Sequence, residues 1–484
     1  MYLGVDLGTS GIKVILMLDN GKVLDTESYD LSVSRPQPLW SEQDPNHWWH
    51  GLDSCMTSLS ERQDLSRVLA MGLSGQMHGA TLLGAQNQVL RPAILWNDGR
   101  SEAQCQELEA LVPDSRTITG NVMMTGFTAP KLLWIKQQEP DLFSLIAKVL
   151  LPKDFLRFLL TGDFASDMSD SAGTGWLDVG KRDWSERLLE ACDLNRSQMP
   201  KLFESNQVTG YVKLEHARRW GMSSVPVIAG AGDNAAGAMG VGLTQSGQAM
   251  ISLGTSGVYF LVTDGFTANP DRAVHSFCHA LPDRWHLMSV LLSAASCLQW
   301  FADNIVQKEV AELLDELGAA QVNKKSAPLF LPYLSGERTP HNNPHAKGNF
   351  FGLTHSNDRA SLTHSILEGV SFAFADGVDA LHESGKAAQE INLIGGGAKS
   401  QYWRQMLADV LGKKIIYRAG SEVGPAIGAA RLAQLAMQPE RPIEQVCPVP
   451  QIEQVHTPDP QCFELYQKRR QRFQSLYQRL HDLC

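Results

Sequence analysis

A five-residue segment occurs twice in the 484-residue chain, as Leu7-Gly8-Thr9-Ser10-Gly11 and as Leu253-Gly254-Thr255-Ser256-Gly257. A Gly-Thr-Ser-Gly turn between two strands points backbone N–H groups and two hydroxyls into one concavity, and glycine lets an anion approach without a Cβ in the way. Such a turn suits phosphate. A single copy is better read as an ordinary hairpin corner, but two copies at matching positions can hold successive phosphates of one nucleotide across a cleft. The candidate phosphate contacts are Gly8, Thr9 and Ser10 in the first copy and Gly254 and Thr255 in the second. Lys13, a charge that the second copy replaces with Tyr259, is grouped with them.

Asp6 lies in an apolar strand just before the first turn, where an ionised carboxylate is costly unless it is paired or works on a metal. A Mg²⁺ role through water is expected; the competing reading is a carboxylate satisfied by backbone donors or by Lys13. In Ala229-Gly230-Ala231-Gly232-Asp233-Asn234 a strand enters a helix with almost no side-chain bulk, so a substrate can come close to Asp233. An Asp before a helix is most often an N-cap. In these surroundings Asp233 is the candidate general base for phosphoryl transfer, and with Asp6 the candidate Mg²⁺ pair.

Leu393-Ile394-Gly395-Gly396-Gly397-Ala398-Lys399-Ser400 is a further strand-to-helix turn. It satisfies neither the Walker A spacing nor GxGxxG. Gly396 and Gly397 offer either a flat surface for an adenine or ribose or a close packing corner, at even odds. Gln76-Met77-His78-Gly79 and Trp96-Asn97-Asp98-Gly99-Arg100 place polar and aromatic groups at strand ends, of the kind that read sugar hydroxyls. Histidine pairs such as His275/His279 and His341/His345 lack a third ligand, so no zinc site is expected.

These groups need a scaffold. Residues 2–7, 12–18 and 22–28 are β-prone runs, and Asp19-Asn20-Gly21 is a hairpin signal. The repeated turns stand 246 residues apart, close to half the chain, and their flanking residues also agree, which points to two similar domains meeting near 242–248. Later strand patterns alternate with helical ones: Val225–Ala229, Ile391–Ile394 and Lys414–Tyr417 precede helices beginning near Asn234, Ser400 and Pro425. That alternation indicates an α/β chain. Gly424 and Gly428 allow tight helix packing where domains meet, and residues 461–484 form a packing helix with Lys468, Arg469, Arg470 and Arg472 on a solvated face.

Composition bounds the reading further. Hydrophobic residues are 43% and charged residues 19%, as in a globular protein of two or three domains. A net charge of −10 disfavours nucleic acid and anionic lipid. Eight scattered cysteines without a CxxC pair fit a reducing compartment, and the Met1–Asp6 start has no basic leader pattern, so a cytoplasmic protein is expected.

Together these motifs resemble the FGGY family of carbohydrate kinases, in the superfamily of sugar kinases, actin and chaperone ATPases, over nearly the whole chain. Gly126, Thr128, Lys131, Leu132, Trp134, Ile135, Gln137 and Gln138 are similar to the family's first signature. Gly348, Phe350, Gly352, Leu353, Leu362, Ser365, Ile366, Leu367 and Glu368 are similar to the second, with Ser361 departing where an acid, amide or His is usual. Ser74–Gly79, Trp40–Pro45 and Pro332–Pro340 resemble most the bacterial branch that phosphorylates D-xylulose.

The resemblance implies two actin-like (ribonuclease H-like) domains in tandem around an interdomain cleft: residues 1–245 with the sugar site and base, and residues 246–484 mainly binding ATP. It implies Asp233 as base, Asp6 assisting Mg²⁺, Met77 and His78 on the ketose with Asn234 nearby, and ATP on the Gly8 and Gly254 turns with Gly396 and Gly397. The expected partners are ATP, Mg²⁺, D-xylulose and a second copy in a homodimer, with no nucleic acid and no membrane. The rivals are a sister kinase for ribulose, glycerol or gluconate, and a nucleotide-operated switch or filament. A catalytically dead sugar sensor is weakened by the presence of both Asp6 and Asp233.

Overall fold

The computed structural model describes residues 1–418 and 424–483. Three β-prone runs and the left-handed Gly21 (φ +83°) fold the N-terminus into the expected meander of β1 (Tyr2–Leu7), β2 (Gly11–Met17) and β3 (Val23–Asp30). Parallel strand β4 (Ala70–Gly75) pairs with the other edge of β1, followed by β5 (Val208–Tyr211), β6 (Pro226–Ile228) and the short β7 (Ala231–Gly232). The sheet order is β5-β6-β4-β1-β2-β3, with β7 also on β4. β1 and β4 are buried nearly throughout, which explains their continuous rather than alternating apolar pattern.

A second sheet repeats this plan with β8 (Ala249–Leu253), β9 (Gly257–Thr263), β10 (His275–Cys278), β11 (Trp285–Leu291), β12 (Glu390–Ile394), β13 (Lys414–Arg418) and β14 (Ile452–His456). Its order is β10-β11-β9-β8-β12-β13-β14. In both sheets an antiparallel hairpin is extended on its first strand by parallel strands and closed by an antiparallel edge. The repeated glycine turns are the equivalent β1–β2 and β8–β9 corners.

Helices cover the sheets. Those that bear on the site are α1 (Asp233–Gly240), α2 (Arg359–His382), α3 (Pro425–Met437) and α4 (Pro460–Leu480). Helix α3, from the C-terminal half of the sequence, lies on the first sheet. A Cβ on Gly4 or Gly72 would stand 2.0 Å from the carbonyl oxygen of Ala426 or Ala429, and one on Gly428 1.8 Å from that of Ala236 in α1. Glycine at these points brings α3 onto β1, β4 and α1, so the two halves interlock. Gly424 has open space around its Cβ position and does not share that role.

The terminal helix corrects one expectation. Arg469 and Arg470 are buried rather than solvated, because α2 presents acids to them: Arg469 donates twice to Glu368 at 2.6 Å, and Arg470 to Asp376 and Asp379. Lys468 stays at the surface beside Glu464. Ser361, the departure in the second signature, sits in the first turn of α2, where its N–H is capped by Asp358 at 2.8 Å. Among the described residues no helix is long and apolar enough to cross a membrane.

Candidate active site

Asp6 is the penultimate residue of β1 and Asp233 opens α1, near enough for each carboxylate to feel the other's charge. The small residues before Asp233 are required by the path of the chain. Gly230 is left-handed (φ +79°) and a Cβ there would meet the Leu73 carbonyl oxygen at 2.2 Å, while a Cβ on Gly232 would press into Met77. The Gly232 N–H donates to Ser169 Oγ (3.1 Å), whose hydroxyl donates to Asp167 (2.6 Å). Asp167, Asp154 and Asp170 all surround the buried Lys153 ammonium within 3.1 Å. Crowding and burial hold the Asp170 carboxyl well above the ordinary range, so this cluster is less anionic than its formula. It anchors the elbow that presents Asp233.

Asp233 Oδ1 accepts from the backbone N–H (2.7 Å) and the side-chain amide (2.8 Å) of Asn234, leaving Oδ2 for the cleft. Asn234 therefore orients the carboxylate directly. Burial raises Asp233 to about 6 against those two hydrogen bonds. Burial and the charge of Asp233 raise Asp6 to about 7, and Asp6 Oδ1 is buried without a hydrogen-bond partner. Two close carboxylates with an orphan oxygen form a donor set that suits a hard divalent cation held through water. Lys13 stands opposite Asp6 in the β1–β2 register, and its charge only partly offsets this.

The first glycine turn differs from expectation in one respect. The Thr9 hydroxyl does not face the cleft: it donates to Gln76 and accepts from Trp96 Nε1, both at 2.9 Å. Gln43 bridges Gln76, Trp48 and the Thr9 carbonyl. Gln76 and Trp96, expected near sugar, thus clamp the turn. Asp98 likewise pairs with Arg100 and caps the Ser41 N–H. The N–H groups of Thr9 and Ser10 make no hydrogen bond among the described residues, so the turn offers backbone donors and the exposed Ser10.

Two cavities meet over the third glycine segment. One, of about 440 Å³, is lined by Asp233, Asn234, Ser252 and Gly396. The other, of about 1150 Å³, is lined by Gly254, Thr255, Gly396, Gly397, Ser296 and Tyr402. The segment is a packing corner at two residues, where Cβ atoms on Gly395 and Gly397 would collide with Leu253, whereas Gly396 has nothing within 4 Å and lines both cavities.

Met77 packs between Gly173 and Gly232, beside Asp233, and His78 follows in a left-handed conformation (φ +70°). His78 Nδ1 lies 2.6 Å from the Gly173 carbonyl, so Nδ1 carries the proton and Nε2 is an acceptor. Burial lowers this ring to about 3, keeping it neutral. Lys131 and Thr128 of the first signature donate to the His78 carbonyl at 3.0 and 3.2 Å. Sequence reading found the signature without this task for it, because the contact spans more than fifty positions. Ser169 had no signal in the sequence.

Comparison with known proteins agrees with this geometry. The family model for the N-terminal domain of FGGY carbohydrate kinases matches residues 1–240, and that for the C-terminal domain matches residues 249–437. The chain is 59% identical to a xylulose kinase of Escherichia coli K12 and 55% identical to one of Klebsiella pneumoniae, each covering 100% of both chains. Among solved structures, a xylulose kinase from Brucella ovis superimposes with a TM-score of 0.96 at 45% identity over 100% of both chains. A gluconate kinase from Lactobacillus acidophilus reaches 0.93 at 25% identity, covering 99% of this chain and 98% of its own. The chain belongs to the FGGY family of carbohydrate kinases.

Proposed function

We propose that this kinase transfers the γ-phosphoryl group of MgATP to the 5-hydroxyl of D-xylulose, giving D-xylulose 5-phosphate and ADP. The observation that carries the reading is the continuity at Gly396, where the cavity holding Asp233 meets the cavity holding the Gly254–Thr255 turn. An acceptor beside Asp233 and a nucleotide on the Gly254 turn can meet there. The names of the most similar relatives favour D-xylulose as acceptor.

In this mechanism Asp233 Oδ2 takes the proton of the attacking hydroxyl while Asn234 keeps the carboxylate aligned. Because the transition state is loose, alignment matters more than basicity. The N–H groups of the Gly8 and Gly254 turns spread charge developing on the phosphoryl oxygens. Met77 and the neutral His78 hold the ketose, with His78 Nε2 accepting from a hydroxyl. Asp6, with Asp233, would hold Mg²⁺ through water, and the ion when bound neutralises phosphate charge. Closure of the halves excludes water, a competing nucleophile, so slow ATP hydrolysis without sugar is expected. A homodimer belongs to the same reading and is checked by sedimentation.

The test is ADP release from MgATP with D-xylulose, D-ribulose, L-ribulose, glycerol or gluconate. Strong stimulation by D-xylulose alone supports the proposal. A different winning polyol moves the assignment to a sister kinase, and no stimulation by any of them favours the nucleotide switch.

A further inference from the structure

Arg338, from the C-terminal half, is a half-buried guanidinium that lines a cavity and forms no ion pair among the described residues. The adjacent Glu337 does not neutralise it by contact: its Oε1 accepts from the N–H groups of Leu292 and Arg338, and Oε2 is buried without a partner. Burial raises the Glu337 carboxyl to about 8, so it is largely uncharged at neutral pH. A partly desolvated cation with one long contact to a histidine has donors left for a polar occupant of the cavity.

Its surroundings identify that occupant. Arg338 Nη1 rests 3.4 Å from Nε2 of the buried His275, and Nη2 lies 3.9 Å from where a Gly126 Cβ would stand. A Cβ on Gly126 would stand 2.7 Å from the Trp96 carbonyl oxygen, so the backbone here passes close to the guanidinium with no side chain between. His275, Phe127, Phe277 and His78 form one ring cluster with centroids 5.2–6.2 Å apart, and the charge of Arg338 reaches both histidines. Arg338 thus stands beside the ring cluster that contains His78. Beside it a cavity of about 650 Å³ separates the halves, lined by Thr125 and Gly99 from one and Leu292 and Arg338 from the other.

We infer that Arg338 is a specificity-determining residue that donates hydrogen bonds to the C1 hydroxyl and C2 oxygen of the ketose, the end remote from the phosphorylated hydroxyl. This deepens the proposed function and rests on it. A planar guanidinium presents several donors in fixed directions, so it reads adjacent oxygens together, and its charge strengthens each bond. Because Arg338 comes from the second half, filling this end of the pocket also draws the halves together over the acceptor.

The experiment compares kcat/KM of wild type, Arg338→Met and Arg338→Lys on D-xylulose, 1-deoxy-D-xylulose and glycerol, with ADP affinity measured by calorimetry as a check on the nucleotide site. Arg338→Met is expected to lower kcat/KM on D-xylulose about 10- to 100-fold. The loss shrinks on 1-deoxy-D-xylulose and falls below about threefold on glycerol, which lacks the oxygens concerned. Arg338→Lys retains charge without the fork, and its smaller loss follows the same acceptor order; it decides the matter if the Met variant does not fold. Equal proportional losses on all three acceptors, or none on D-xylulose, overturn the inference while leaving the kinase reading in place. A wild type that D-xylulose does not stimulate removes both.

Discussion

Replacing Asp233 with Asn should make the protein slower and more stable at once. Asn keeps the Oδ1 acceptor for the Asn234 donors but cannot take a proton. Loss of a general base costs about 10²- to 10⁴-fold in kcat, or about 3–5 kcal/mol of transition-state stabilisation. On the proposed reading, binding of metal-free ADP at the glycine turns should change little. The stability gain follows from burial: a carboxyl held at about 6 against 3.8 when unfolded disfavours the native state by up to ~3 kcal/mol where it is ionised. Solvent reaching the cleft reduces this to about 1–3 kcal/mol.

The sign with pH is fixed. The folded pKa is the higher one, so wild-type stability from this group is fully present below 3.8 and is lost as pH rises through 6. The advantage of Asp233→Asn is therefore full at pH 8, shrinks through pH 6 and disappears near pH 4. Asp6 adds to the gain, since the Asp233 charge is the second cause of its own rise to about 7. Denaturant melts at pH 5, 6.5 and 8 and steady-state kinetics at pH 8 check this. A variant with wild-type sugar-dependent turnover would refute the base assignment, and a stability difference flat across pH would refute the buried-charge argument.

Three further perturbations test the scaffold. Ser169→Ala leaves the Gly232 N–H without its acceptor, and should cost about 1–3 kcal/mol and loosen the Asp233 elbow, lowering kcat about tenfold with ATP KM nearly unchanged. Lys153→Met strands three buried acids and should lose about 3–5 kcal/mol at pH 8, visible in the melting transition; recovery in acid, as the carboxyls neutralise, is part of the expectation. Gly428→Ala would put a Cβ 1.8 Å from the Ala236 carbonyl oxygen, so overpacking of about 1–3 kcal/mol or more should outweigh the ~1 kcal/mol gained in helix propensity. A stabilised Gly428→Ala protein with unchanged kinetics would show that α1 and α3 have slack at their crossing.

What was legible in the sequence was local or repeated. The glycine turns announced themselves by recurrence, and their flanking strands carried the matching sheets. Asp6 and Asp233 stood out because charge in an apolar strand, or beside a run of tiny residues, needs a reason. The rest depended on partners distant in sequence. Arg469 and Arg470 looked solvated because Glu368, Asp376 and Asp379, which bury them, lie about ninety to a hundred positions earlier. The Thr9 hydroxyl looked free because Gln76 and Trp96, which occupy it, appeared as separate motifs.

This misreading of Thr9 carries a general consequence for the site. Side chains at the strand ends divide into those that touch a ligand and those that hold a neighbour in place, and composition does not separate them. Gln76 and Trp96 hold; His78, between them in the chain, is itself held, because Lys131 and Thr128 pin its carbonyl and Gly173 pins its ring. A left-handed histidine with its backbone and one ring nitrogen both secured has a single free direction for its remaining acceptor. The buried lysine of the first family signature touches backbone only, and through it holds the position of His78. The second signature does comparable work at a distance: Glu368 fixes the terminal helix against α2, the long buried helix of the half that supplies Arg338.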